Sequence, residues 1–195
     1  DNRSGMILTS VPTGSGKTTT LYAILNEINQ SSLKIITLED PIEYRLDGIN
    51  QIQVNPSIGL NFSNLLRSVL RQDPDIIMVG EIRDAETARL ATQAALTGHL
   101  VISSLHTNTA LGAVTRLIDM GIEPFLISAA LKGVIGQRLI KKLCTSCRSE
   151  RKPTPSETLA FGLTEDEIIA NSQGCSACHQ TGSVSYTHLT LPTTG

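Results

Sequence analysis

The stretch Gly14-Ser15-Gly16-Lys17-Thr18 constrains this chain more than any other. It stands between a short apolar run, Met6-Ile7-Leu8, and four apolar residues, Leu21, Ile24, Leu25 and Ile28, at i, i+3, i+4, i+7 spacing. That order predicts strand, tight loop, helix. A glycine-rich loop entering a helix aims several backbone N–H groups into one concavity, beside the helix's unpaired amides and positive dipole end. Such a place suits phosphate, with residues Thr13 to Thr19 as the cradle. Lys17 would reach the β- and γ-phosphates of ATP, and the Thr18 hydroxyl would bind Mg²⁺. The motif G-x-x-x-x-G-K-[ST] has one departure: its first glycine falls at Val11. The turn entering the loop therefore lacks a residue that tolerates φ > 0. An ordinary βα turn containing glycines is the alternative.

A chain of 195 residues buries a real core and supports one domain, or one domain with an appendage. Net charge is −2 with no basic run, and aromatic content is 3 % with no tryptophan, which argues against nucleic acid as the main partner. Binding a phosphate backbone needs clustered Lys and Arg, and single strands need stacking platforms. No apolar run approaches the ~18–20 residues of a membrane span. The opening Asp1-Asn2-Arg3-Ser4 carries no signal peptide and reads as a start cut from something longer.

Lys34 to Leu38 has a buried-strand pattern and delivers Glu39, Asp40 and Glu43. Three carboxylates past the carboxyl end of a strand stand where open α/β sheets place ligands, and they suit Mg²⁺ or its water. A solvated acidic turn stopped by Pro41 is the alternative. Ile49 to Val54 alternates as a half-exposed strand. Ser63 is placed to cap a helix with Leu65, Leu66, Val69 and Leu70 on one face. The run Ile76 to Val79 is a second buried strand, ending in Gly80-Glu81-Ile82-Arg83-Asp84. A carboxylate there suits a base that activates water, so Glu81 is the candidate. A helix follows from about Ala85 to Thr97, then a strand from Leu100 to Leu105 that delivers His106, placed to touch the γ-phosphate. His99 lies at the opposite end of that strand. Helices are predicted over Ala110–Met120 and Pro124–Ile140, the second interrupted by Gly133 and Gly136. Alternating strands and helices mean a mostly parallel sheet with helices on both faces, over residues 1–140.

Cys144, Cys147, Cys175 and Cys178 form two C-x-x-C pairs. Four thiolates from two such turns give a closed tetrahedral zinc site whose role is folding. A thioredoxin-like redox site would need only one pair beside a βαβ unit. The insert holds a Pro-Thr-Pro-Ser linker and a short helix near Ser156–Phe161 or Thr164–Asn171. This module spans residues 141–183.

Leu38-Glu39-Asp40-Pro41-Ile42-Glu43-Tyr44, Leu70 to Asp75, Val79 to Asp84 and Gly98 to Asn108, in this order and with the tetracysteine insert, resemble the secretion ATPase superfamily. Its type II secretion and type IV pilus assembly motors are the nearest match, over about residues 5 to 182. The resemblance implies a RecA-like P-loop NTPase core carrying a small zinc-binding subdomain. It implies a homo-hexamer in the full-length protein, at the cytoplasmic face of a bacterial inner membrane. Hydrolysis would drive pilin or pseudopilin assembly through a platform protein. It makes Glu39, Asp40 and Glu43 an acidic box, Glu81 the catalytic glutamate, and His99 with His106 a histidine box. Arg67, Arg71, Arg83 and Arg116 become candidates for phosphate or intersubunit contacts. It also implies a preceding domain that supplies arginines, so this chain alone is expected to be a weak ATPase. A DNA-translocating or conjugation-type hexamer on the same core is the rival reading.

Residues 184–195 read Val184-Ser185-Tyr186-Thr187-His188-Leu189 and onward, as a translated sequencing-adapter end would. They are expected to be foreign to the gene, with no function for His188.

Overall fold

The computed structural model describes residues 4–10 and 14–184. Thr13 and Val11, and the expected tail from residue 185 on, lie outside the described residues. The chain divides into two compact units, Asp1–Arg138 and Leu139–Gly195.

The first unit runs β1 (Gly5–Ser10), α1 (Lys17–Ile28), β2 (Ile35–Glu39), β3 (Asn50–Gln53), α2 (Phe62–Leu70), β4 (Ile76–Val79), α3 (Ala85–Leu96), β5 (Leu100–Leu105), α4 (Ala110–Asp119), α5 (Pro124–Ala130) and β6 (Leu131–Gly136). The six strands form one sheet in the order β3-β2-β4-β5-β1-β6. Every neighbouring pair is parallel. Parallel strands that are covered on both faces must be apolar on both, and period-2 alternation sorts their side chains. Ile36, Leu38, Ile77, Val79 and Val101 pack with Leu66 and Val69 of α2 and with Ala91 and Ala94 of α3. Their neighbours Ile35, Ile76, Met78 and Ile102 pack on the other face with Leu21, Tyr22 and Leu25 of α1. Burying each such leucine contributes about 2 kcal/mol.

The predicted strands at residues 6–8, 34–38, 49–54, 76–79 and 100–105 are all present. Two elements differ from expectation. Asn61, not Ser63, caps α2: its side chain accepts from the Asn64 N–H at 2.8 Å, while Ser63 Oγ donates to Asn61 Oδ1 at 3.0 Å from inside the first turn. The extended conformation needed at a cap falls at Asn61, so the earlier residue takes the role. The helix expected over Pro124–Ile140 stops at Ala130, and Leu131–Gly136 becomes the sixth strand, beside β1. Gly133 and Gly136 weaken a helix, β-branched Val134 and Ile135 favour a strand, and β1 would otherwise have an open edge.

The second unit holds β7 (Lys142–Leu143), β8 (Arg148–Arg151), α6 (Pro155–Phe161), β9 (Ile169–Ser172) and β10 (Ser183–Val184). β7 pairs with β10 and β8 with β9, both antiparallel. Of the two places considered for a helix, the first forms. Thr154 and Glu157 make a reciprocal capping box and Pro155 occupies the first turn, where its missing N–H costs nothing. Among the described residues, no helix is long and apolar enough to cross a membrane.

Candidate functional site

Because the strands are parallel, their carboxyl ends share one edge of the sheet, and each delivers a polar residue there. β1 ends in Ser10 and leads to the glycine loop, in which Gly14 and Gly16 have φ of 76° and 81°. Only glycine adopts that left-handed conformation without strain. Gly16 is also the N-cap of α1 and offers no side chain to the first-turn amides. The Ser15 hydroxyl is buried and finds no hydrogen-bond partner among the described residues. Free amides, a positive dipole end and an unsatisfied donor in one loop fit phosphate oxygens.

β6 supports this loop from beneath. Gln137 is 5 % exposed; its Nε2 donates to the Ser15 carbonyl, its Oε1 accepts from Thr20 Oγ1 at 2.6 Å, and its backbone N–H donates to Ser10 O at 3.2 Å.

β4 and β2 carry the acids. Gly80 permits their ends to meet, since a Cβ there would lie 3.1 Å from the Leu38 carbonyl oxygen. Ser104 Oγ donates to Gly80 O at 2.7 Å and the Ile82 N–H to Ser104 O at 3.0 Å, holding Glu81 between them. Glu81 is 5 % exposed, yet Arg83 Nη2 lies 2.5 Å from Oε1 and His106 Nε2 3.1 Å from Oε2. Arg83 also reaches Asp40 at 3.5 Å. Burial works to raise the Glu81 pKa, but the Arg83 hydrogen bond, the Lys17 field, the Arg83 charge and the His106 contact outweigh it. The carboxyl is held below its ordinary range.

Lys17, Thr18, Glu39, Asp40, Glu43 and Glu81 line one cavity of about 130 Å³. Lys17 and Thr18 at the end of the glycine loop, the acidic box and Glu81 are thus brought together, with Arg83 and His106 on Glu81's two oxygens, while Gly14, Ser15 and Gly16 do not line the cavity. Thr19 is exposed and does not line the cavity. Arg67 pairs instead with Glu86, Arg71 reaches Ser68, and neither they nor Arg116 line it. His99 departs from expectation: within this chain it does not join the cleft. Its Nδ1 is 3.0 Å from Ala94 O and its carbonyl accepts the Gly5 N–H at 3.1 Å, at the amino edge of the sheet. The length of β5, about 20 Å, separates it from His106.

Three residues that sequence reasoning did not single out also support the cleft: Gln137, Tyr22 and Gln51. Tyr22 alone carried a local signal, a hydroxyl on the buried side of α1 beside Leu21 and Leu25; Gln51 stands in a half-exposed strand and Gln137 between exposed neighbours, so neither was marked.

In the second unit, the Cys144, Cys147, Cys175 and Cys178 sulphurs all lie within 4.8 Å of one another. Cys144–Cys175, Cys147–Cys178 and Cys175–Cys178 are 3.9, 3.8 and 3.7 Å apart. Sulphurs about 2.3 Å from a tetrahedral zinc ion stand about 3.8 Å apart, so this donor set fits zinc. Burial opposes a thiolate at Cys178, but the Cys175 and Gly182 N–H groups donate to its sulphur at 3.2 and 3.3 Å and bring its pKa down to about 6.

A parallel α/β sheet with a phosphate-binding loop after its first strand and acids on the neighbouring strand ends defines a P-loop NTPase core of the RecA-like kind. More narrowly, the chain belongs to the family described as "Type II/IV secretion system protein", whose model matches residues 1–190. It is 57 % identical over 180 residues to the type II secretion system protein E of Aeromonas hydrophila, covering 91 % of this chain and 36 % of that protein. It is 55 % identical over 182 residues to the type IV pilus assembly ATPase PilB of Thermus thermophilus, covering 91 % and 20 %. Among solved structures, the pilus retraction motor PilT with bound ADP is similar at TM-score 0.67 and 44 % identity, over 73 % of this chain and 44 % of that one. The ATPase DotB of Legionella pneumophila is similar at TM-score 0.63 and 30 % identity, over 89 % and 45 %. The chain therefore spans about a third or less of the curated relatives' length.

Proposed function

We propose that this chain is the ATP-hydrolysing part of a motor that powers pilin or pseudopilin assembly in type II secretion or type IV pilus formation. The observation that carries the reading is the convergence of Lys17, Thr18, the acidic loop and Glu81 on one cleft. The amides of Gly14 to Thr18, continued by Thr13, hold the triphosphate, and the Lys17 ammonium lies along it. Thr18, Asp40 and Glu43 would hold Mg²⁺, which when bound would offset the charge that builds on the transferring phosphoryl group. Glu81 stays ionised and aims the attacking water, while His106 and Arg83 fix its two oxygens. In the second unit the four cysteines would hold zinc as a closed, structural site, a reading supported by their clustered sulphurs.

Identity of 57 % to a type II secretion E protein, against 30 % to DotB, favours assembly and secretion over a conjugation-type role. On this reading the whole protein is a cytoplasmic hexamer seated at an inner-membrane platform protein. Lys17→Ala abolishes binding of a fluorescent ATP analogue to this chain. Glu81→Gln in the full-length protein binds ATP but turns over roughly 10²-fold or more slower. Normal hydrolysis by that variant would refute the role given to Glu81.

A further inference from the structure

The acidic loop is held by a buried polar cluster that reaches it from two directions. Thr37 and Glu39 are two apart on β2 and share the face that α1 covers, and Gln51 on β3 stands opposite Thr37 in register. Tyr22 comes down onto this face from α1, the helix that follows the glycine loop, and is 1 % exposed. Its hydroxyl donates to Glu39 Oε2 and accepts the Glu43 N–H at 3.3 Å. Gln51 Nε2 donates to Glu39 Oε1 and to the Tyr44 carbonyl, both at 3.1 Å, while its Oε1 accepts the Leu46 N–H at 2.8 Å. Thr37 Oγ1 donates to the same Glu39 oxygen. The rings of Tyr22 and Tyr44 meet edge to face, 4.7 Å between centroids.

We propose that Tyr22 and Gln51 are positioning residues that lock Glu39 and the backbone of residues 43–46, so that Asp40 and Glu43 are presented to the metal beside Lys17 and Thr18. Glu39 is then the anchor of the loop rather than a ligand. It is 3 % exposed, and three neutral donors take up most of the lone pairs that a metal would need. Because Tyr22 belongs to the helix that begins at Lys17, the clamp ties the phosphate cradle to the acids by one rigid element. Burial and the neighbouring Glu39 push the Tyr22 pKa up to about 12, so its hydroxyl remains a donor throughout the neutral range.

The inference rests on the ATPase reading of the cleft, and two measurements keep the two separable. The first uses the ligand-free chain. Tyr22→Phe keeps the ring and removes the hydroxyl, and Gln51→Leu removes the amide. Amide hydrogen exchange is expected to rise about tenfold at Glu43 in the first variant and at Leu46 in the second, with Leu38 in β2 unmoved. Unchanged exchange at Glu43 and Leu46 overturns the clamp, whatever the cleft binds. The second compares affinity for a fluorescent ATP analogue with and without Mg²⁺. The ratio is expected to fall about tenfold in either variant, whereas a general loss of structure would lower both affinities together. A wild-type ratio in both variants overturns the positioning role. Undiminished binding by Lys17→Ala would instead defeat the reading of the cleft and leave the exchange result standing.

Discussion

Glu81 shows how a single buried carboxylate is held ionised by its neighbours. Water is almost excluded from it, which by itself favours the neutral form, yet Arg83, Lys17 and His106 hold its pKa down. The native state therefore binds that proton less readily than the unfolded chain. The resulting stabilisation is present above the ordinary carboxylate pKa and fades as pH falls through the lowered one. Arg83→Ala should cost about 1 kcal/mol at pH 7, discounted for the exposure of the guanidinium. That difference from the wild-type chain should shrink as pH falls through the acid range, read by urea unfolding across a pH series. A pH-independent difference would mean that Arg83 acts through packing alone.

At the scale of elements, the strands were legible because each is a short apolar run bounded by turn residues, and α3 and α4 because they follow Asp84 and Thr109, good caps. The caps of α2 and the end of α5 were not legible for a shared reason. Asn61 and Ser63 both stand at the start of α2, and local spacing does not say which of them is extended. Similarly, Gly133, Gly136 and the β-branched pair Val134-Ile135 lean Leu131 to Gly136 toward a strand, but a strand needs a partner, and the open edge of β1 supplies it only in the folded sheet. Asn61→Ala should destabilise the first unit by about 1 kcal/mol, and Ser63→Ala by less, in thermal or denaturant unfolding. The reverse order would return the cap to Ser63.

At the scale of the whole molecule, the two units owe their stability to different sources. The first has a large two-sided core around a six-stranded sheet. The second has short two-stranded ladders and leaves Leu159, Phe161 and Ile168 exposed at 88, 74 and 65 %, so a metal held by its four cysteines would supply order that so small a core does not. Purified chain should contain one zinc per molecule by elemental analysis. Chelation, or Cys175→Ser, should remove it and open residues 144–182 to protease. A zinc-free chain equally resistant to cleavage would show that the cysteines serve another purpose.

The amino-acid sequence by itself determined the glycine loop, which strands end in the acids, and the two C-x-x-C turns, because each is written in local spacing. Tertiary structure alone decided which polar groups meet. Tyr22, Gln51, Gln137 and the sixth strand owe their roles to partners that lie far off in the chain or are reached only by folding, whereas the separation of His99 from His106 was already written in the strand between them. Contacts between strand ends depend on register and strand order, which no local pattern encodes.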